Sequence, residues 1–479
     1  MDLKHKVIIR RCNDYDPDRI AGIIKEGMEE LGIKPYGRVL LKPNVVIAHE
    51  KFFPNAYTRK EFLDGVLSAT KSYRSEIQEL SVGERSGITI PTRYNFKHAG
   101  YHEIIKRHNV KTYYFDEEKH IPVPLNHAEA LRKQVYIPKP ITETDFLINL
   151  PKFKAHPWCR LTLSLKNFIG LQDDRHRLID HNQYLEHKIA DLQEVIQPKF
   201  IAIDAIIAGE KTMLTPTPFH MGAIIMGTNS CAVDTVGCHM VNVEPKDVIH
   251  LKYASDRGYG PMDISQIEIS GDFPLDELKN KNKDFQLLLE RIDKYFNNGS
   301  NLKCQVGSFP EKHSKDYCWG GCPGALQEAV HIYKSSQPDI LKSMKKVRYI
   351  AGKIEGDISL DKDERILFAG DCASFNGRIN GKKVHIPSLY QGSKKGDEHH
   401  AKSNDMLSKT IQTLSKTFIQ KNKPYIRAKG CPVSVGDHVH YISSLGKVKN
   451  MNFHPDLAFG VNLAYLKMRI NRFKNTILG

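Results

Sequence analysis

The 479-residue chain contains no run of about 18 apolar residues, the length a membrane-crossing helix requires, so no span is expected. Its first residues, MDLKHKVIIRRC, lack the apolar core and small-residue cleavage site of a secretory signal, which predicts a cytoplasmic protein. Acidic side chains are in deficit: 55 Asp and Glu stand against 70 Lys and Arg, a net charge of +15. That balance favours acidic partners, whether small anions, nucleic acid or an anionic lipid surface. Helix-turn-helix, zinc-finger and RNA-binding signatures are missing, and no repeated aromatic platform accompanies the basic segments, so nucleic acid ranks last. Nine cysteines are too few for a disulfide framework and are expected to be reduced. What remains, 40 % apolar and 26 % charged residues, describes a globular chain long enough for two or three domains.

Short apolar runs of strand length alternate with amphipathic runs of helical period. Strands are predicted over 7–10, 38–41, 79–82, 112–115, 146–150, 199–207, 222–226 and 266–270, with helices over 17–31, 59–73, 102–108 and 231–240 between them. Asp16 followed by Pro17 is a helix-start signal. The order predicts an α/β domain with a mostly parallel sheet over 1–272, a connector over 273–310 with one helix over 283–296, and a second, smaller α/β domain over 311–479.

The densest chemistry in the first domain lies in DFLINLPKFKAHPWCRLTLSLKNFIGL, 145–171. An apolar strand stops at Pro151 and is read as opening into a loop with Lys152, Lys154 and His156, followed by a helix that carries Lys166 and Asn167. Lys42 and Asn44 follow another strand in the same manner, and ligands of open parallel sheets gather where strands end. Alternation of lysine with apolar or small residues between buried elements favours an anion site over a solvated basic loop. His156 is the natural proton-transfer group near neutral pH, with Lys154 and Lys166 polarising the substrate and Lys42, Asn44, Lys152 and Asn167 binding it. The loop around Asp173, Asp174, His176, Asp180 and His181 could hold a divalent ion, but carboxylates interleaved with arginines more often pair among themselves. Asp234 is read as complementing the dipole at the start of its own helix.

LLKPNVV at 40–46, INLPKFKAH at 148–156, LTLSLKNFIGL at 161–171, IAIDAI at 201–206, MGTNSCAVDTVG at 226–237 and GYGPMD at 258–263 together resemble the domain-of-unknown-function 362 family over roughly 38–271. The resemblance implies an α/β domain, often joined to an iron-sulfur module, and carries no agreed reaction.

In the second domain Cys318 and Cys322 lie in DYCWGGCPGAL, Cys372 in ILFAGDCASFNG and Cys431 in IRAKGCPVSVGD. Four cysteines on three glycine-bearing loops suit a 4Fe-4S cluster, because glycine lets backbone amides turn toward the sulfurs. Structural zinc is the alternative, although zinc sites usually come as two close cysteine knuckles, and four buried free thiols are the other. The loops are similar to the cluster-binding region of nickel-iron hydrogenase small subunits, which implies a flavodoxin-like second domain. They depart from it in the C-x3-C pair and in Val433, where a second proline is expected.

The tail over 457–478 carries Leu457, Val461, Leu463, Leu466 and Ile470 among four Lys and Arg residues, and is expected to dock on the body in preference to an anionic membrane. Taken together, these features predict an iron-sulfur oxidoreductase acting on an anionic small molecule. The alternative is a non-catalytic electron carrier or cluster-dependent binding module that docks an acidic redox protein.

Overall fold

The computed structural model describes all residues except 1–4, 88–89, 129–132, 173–176, 178–183, 311–316, 391–424, 451–453 and 478–479. The loop considered for a divalent ion, apart from Arg177, therefore lies outside the described residues.

Asp16 caps the first helix, Pro17–Glu30, by accepting from the amides of Asp18 and Arg19, and Ile20, Ile24 and Met28 form its buried stripe. The large sheet contains β1 (His5–Arg11), β2 (Gly37–Pro43), β3 (Ile77–Glu84), β4 (Lys111–Tyr114), β7 (Phe146–Leu150), β8 (Lys152–His156), β9 (Arg160–Thr162), β10 (Phe200–Glu210), β11 (Thr217–Gly227) and β12 (Ile267–Gly271). Between β4 and β7, β5 (His120–Pro124) and β6 (Gln134–Pro138) form a separate hairpin. The order is β12-β1-β11-β10-β7-β2-β3-β4, with β8 beside β10 and β9 beside β8. Pairings are parallel except for those of β11 with its two neighbours and of β8 with β9. Both faces are apolar: Val7, Ile9, Ile201 and Ile203 pack into one cluster, while Ile8, Ala202, Ile224 and Met226 pack into the other.

The smaller sheet contains β13 (Leu302–Val306), β14 (Val347–Ile358), β15 (Arg365–Ile379), β16 (Lys382–Ile386) and β17 (Tyr425–Ala428). Its parallel strands lie in chain order, β13-β14-β15-β17, whereas a flavodoxin places its first strand between the second and third. In this sheet β16 is antiparallel to the far half of β15.

Three expectations need correction. The stretch read as a connector supplies helix Leu275–Lys281, strand β13 and core residues Phe273, Leu278, Ile292, Phe296 and Leu302, because its lysines and asparagines are spaced by apolar anchors. Helix 283–296 shrinks to Ile292–Tyr295. Residues 152–162 are strands β8 and β9, so the helix expected after Pro157 is replaced by a strand and the 3-10 segment Leu165–Leu171. The two halves of the chain also share one apolar cluster, in which Ile47, Phe52, Phe53, Ala56 and Tyr94 meet Leu326, Val330, Val439 and Val461.

Candidate functional site

Strand period explains how KFKAH places its cations. Successive side chains point to opposite faces, so Lys152, Lys154 and His156 share one face while Phe153 and Ala155 enter the core on the other. Beside them, Lys166 and Asn167 sit on the Leu165–Leu171 segment, whose entry is fixed by Asp234: its buried carboxylate accepts from the amides of Ser164 (2.8 Å) and Leu165 (3.0 Å). Asp234 thus serves a neighbouring segment and not its own helix, where Asn229 is the cap. A ladder of amides ties the pieces together. Asn44 Nδ2 donates to Asn167 Oδ1 (3.0 Å), and Asn167 Nδ2 donates to Asn149 Oδ1 (2.8 Å).

A cavity of about 430 Å³, counted to its open mouth, is lined by Asn44, Lys154, His156, Lys166, Arg85 and Arg177, together with Glu84 and Thr162. Of the expected ligands, Asn44, Lys154, His156, Lys166 and Asn167 reach it. Lys42 and Lys152 do not line it. Lys42 Nζ donates to Glu84 Oε2 (2.8 Å) and to the Asn167 carbonyl (2.7 Å), and Lys152 Nζ donates to Asp204 Oδ2 (2.9 Å) and the Tyr15 hydroxyl (2.8 Å). Both lysines are fully buried in complete ion pairs, which makes them scaffold and not substrate ligands.

Charge in the cavity is lopsided. Four cationic side chains line it, and its carboxylate, Glu84, is already engaged by Lys42. Lys154 donates to the carbonyls of Ala56 (2.7 Å) and Met213 (3.3 Å); burial, aided by the positive charge of Lys166, brings its pKa down to about 7. Lys166 is only 8 % exposed, and among the described residues nothing accepts a hydrogen bond from its ammonium. Burial depresses its pKa as well. The Thr162 hydroxyl and Asn44 Oδ1 are also buried without partners. A buried cation beside unsatisfied polar atoms leaves hydrogen-bonding capacity in the cavity unmet. His156 accepts through Nδ1 from the amides of Cys159 (3.2 Å) and Trp158 (3.3 Å), which places the proton of the neutral ring on Nε2.

Sequence reading missed Arg85, Arg177 and Glu328. Arg85 does follow the end of a strand, β3, in a loop that reads as ordinary turn chemistry, whereas Arg177 had no strand-end pattern around it. Glu328 comes from the second half of the chain: buried on helix Cys322–Lys334, it accepts from the amides of Met213 (2.7 Å) and Leu214 (3.2 Å). Burial raises its pKa to about 7, against the pull of those amides and of Lys154 and Lys166.

The same helix begins at Cys322. Its thiol is pushed up by burial and then by the charges of Cys372, Cys318 and Cys431, so the other three expected cysteines lie within electrostatic reach of Cys322. Cys372 stands in a bulge of β15: Ala351 pairs with Ala369 and Lys353 with Ser374, which leaves 370–373 looped out. A Cβ on Gly370, whose φ is +97°, would lie 2.8 Å from Cys322 Sγ and 3.8 Å from Cys372 Sγ, so glycine is required there. The Val433 amide donates to Cys322 Sγ (3.3 Å). Among the described residues, no three His, Cys, Asp or Glu side chains close on a single point as they would around one metal ion. The cavity and the cysteines are joined by packing: the His156 and Trp158 rings meet at 4.9 Å, and Trp158 lies against Gly324, two residues from Cys322.

The motifs that the site is built from belong to a described family. Residues 39–239 match the family model Domain of unknown function (DUF362). The DUF362 region thus spans β2 to the helix Ser230–Met240 and includes the residues that line the cavity, while Glu328 lies outside it. No curated protein matches the chain. Among solved structures, the lactate racemase apoprotein from Thermoanaerobacterium thermosaccharolyticum is similar at a TM-score of 0.32 and 11 % identity, over 72 % of this chain and 69 % of that one. No helix among the described residues is long and apolar enough to cross a membrane.

Proposed function

We propose that this chain is an iron-sulfur oxidoreductase acting on an anionic small molecule bound in the lysine cavity. The observation that carries the reading is one helix with two duties: Cys322–Lys334 starts at one of the four convergent cysteines and, two turns on, delivers Glu328 to the field of Lys154 and Lys166. The helix that would help to hold the cluster thereby also reaches the neighbourhood of the lysine cavity.

Cys318, Cys322, Cys372 and Cys431 would hold a 4Fe-4S cluster. Structural zinc is the alternative occupant of the same four thiols. A cubane gives each thiolate its own iron and keeps the sulfurs apart, whereas zinc draws four sulfurs to about 2.3 Å from one point. The Val433 amide aimed at Cys322 Sγ is the kind of donor that tunes a thiolate-bound centre. When bound, the cluster would supply or accept one electron at a time. The chain's own residues do the rest. Lys166, Arg85 and Arg177 bind and orient the anion, Lys154 polarises it, and His156 Nε2 exchanges a proton with it. An electron-carrier role would need none of this cavity chemistry, and the buried ammonium without an acceptor favours the enzyme.

Anaerobic purification followed by iron and sulfide analysis tests the reading, with electron paramagnetic resonance before and after dithionite, on the wild type and Cys372→Ser. About four irons per chain, a reducible signal lost in the variant, and a shift of that signal when phosphate is added are expected. Zinc, or metal-free protein after reconstitution, would sink it.

A further inference from the structure

The C-terminal helix, Pro455–Ile477, has two apolar faces. Leu457, Val461, Ala464 and Tyr465 dock it into the apolar cluster shared by the two halves of the chain, and Asn471 and Asn475 donate to Glu117. Docking of the tail is therefore borne out at Leu457 and Val461, but Leu463, Leu466 and Ile470 point elsewhere. With Phe459 and Phe473 they form a row that is 78, 44, 58, 47 and 68 % exposed in chain order, five of the nine exposed large hydrophobic residues among the described ones. Such a concentration on one helix face marks a contact surface.

Spacing identifies the kind of contact. The row steps by four, three, four and three residues, the a/d repeat of a coiled-coil seam, and at roughly 100° per residue it is only about 80° wide and opposite the docked face. A helix lying in a lipid interface presents a broader apolar face. Lys467 and Lys474 flank the row on one side and Arg469 on the other, and no Asp or Glu occurs from Leu457 to Ile477. A second copy, parallel or antiparallel, would set these cations against one another. Residues 405–420 of this chain, with Lys409 and Lys416 against Asp405, offer no complementary charge either.

We propose that this face is the docking surface for an acidic amphipathic helix of a partner protein, one with apolar residues along its seam and Asp or Glu on the flanks. Hydrophobic burial along five positions supplies affinity, and the basic flanks select the sign of the partner.

The test uses the full chain and two synthetic 24-residue helical peptides, both with Leu at seam positions, one with Glu and one with Lys on the flanks. Fluorescence anisotropy is expected to show the Glu peptide binding at least about tenfold tighter, with affinity falling as salt rises. Leu466→Asp is expected to abolish binding, with an unchanged circular dichroism spectrum because the position is exposed. The triple variant Lys467→Glu, Arg469→Glu, Lys474→Glu is expected to reverse the preference. Equal affinity for the two peptides, dimerisation of the chain at micromolar concentration, sedimentation with phosphatidylserine vesicles in place of peptide binding, or cross-links from 405–420 to the row would each overturn the proposal.

Discussion

Two buried lysines of the same region should respond to the same substitution with opposite signs. Lys166→Met removes a cation that is 8 % exposed and meets no acceptor among the described residues, while methionine keeps much of the apolar stem. Relief of that desolvation should stabilise the unliganded protein by about 1–3 kcal/mol, the usual cost of burying an unsatisfied polar group. The same change deletes a charge-assisted hydrogen bond to a bound anion, worth about 1.5–3 kcal/mol, which corresponds to a loss of roughly 10- to 150-fold in affinity. Urea unfolding at constant slope reads the first quantity, and titration calorimetry with inorganic phosphate reads the second. A variant that is less stable than wild type, or one that binds phosphate as tightly, would refute the assignment of Lys166 to an anion site.

Lys152→Met should instead destabilise by about 3–5 kcal/mol, since it strands the buried Asp204 carboxylate; the double variant Lys152→Met, Asp204→Leu should recover much of the loss in the same urea assay. Glu328 has a folded pKa of about 7, above its ordinary 4.5, so the folded state holds a proton that the unfolded state has released, and stability should fall by about 3 kcal/mol as pH rises from 4.5 to 7. Glu328→Gln should flatten that limb, as measured by unfolding between pH 4.5 and 8. Lys154 loses its charge as pH rises through about 7, so phosphate affinity should decline above neutrality, and Lys154→Arg, which stays charged, should abolish the decline in calorimetric titrations at pH 6 to 9.

Local pattern determined a good deal of this protein. Strands β2, β7, β10 and β11 announce themselves as short apolar runs, Asp16-Pro17 starts a helix where caps and proline geometry place one, and glycines beside Cys322 and Cys372 mark where sulfur crowds the backbone. Lys154, His156 and Lys166 were legible as site residues because cations recur where strands end. KFKAH itself held a signal that was misread: its period of two is that of a strand, and a strand is what forms.

Tertiary structure decided the rest, because burial and pairing depend on residues far apart in the chain. Nothing local distinguishes Lys152 from Lys154; only Asp204, brought alongside by the parallel pairing of β8 with β10, makes one a scaffold and leaves the other facing the cavity. Glu328 lies 174 positions beyond Lys154 and comes within the field of Lys154 and Lys166 because the helix that begins at Cys322 packs against the loop holding Met213. Sequence alone could place four cysteines on three loops and a cluster of lysines just after one strand. That the helix starting at Cys322 also brings Glu328 within the field of Lys154 and Lys166 is a consequence of long-range packing, which short-range periodicity does not encode.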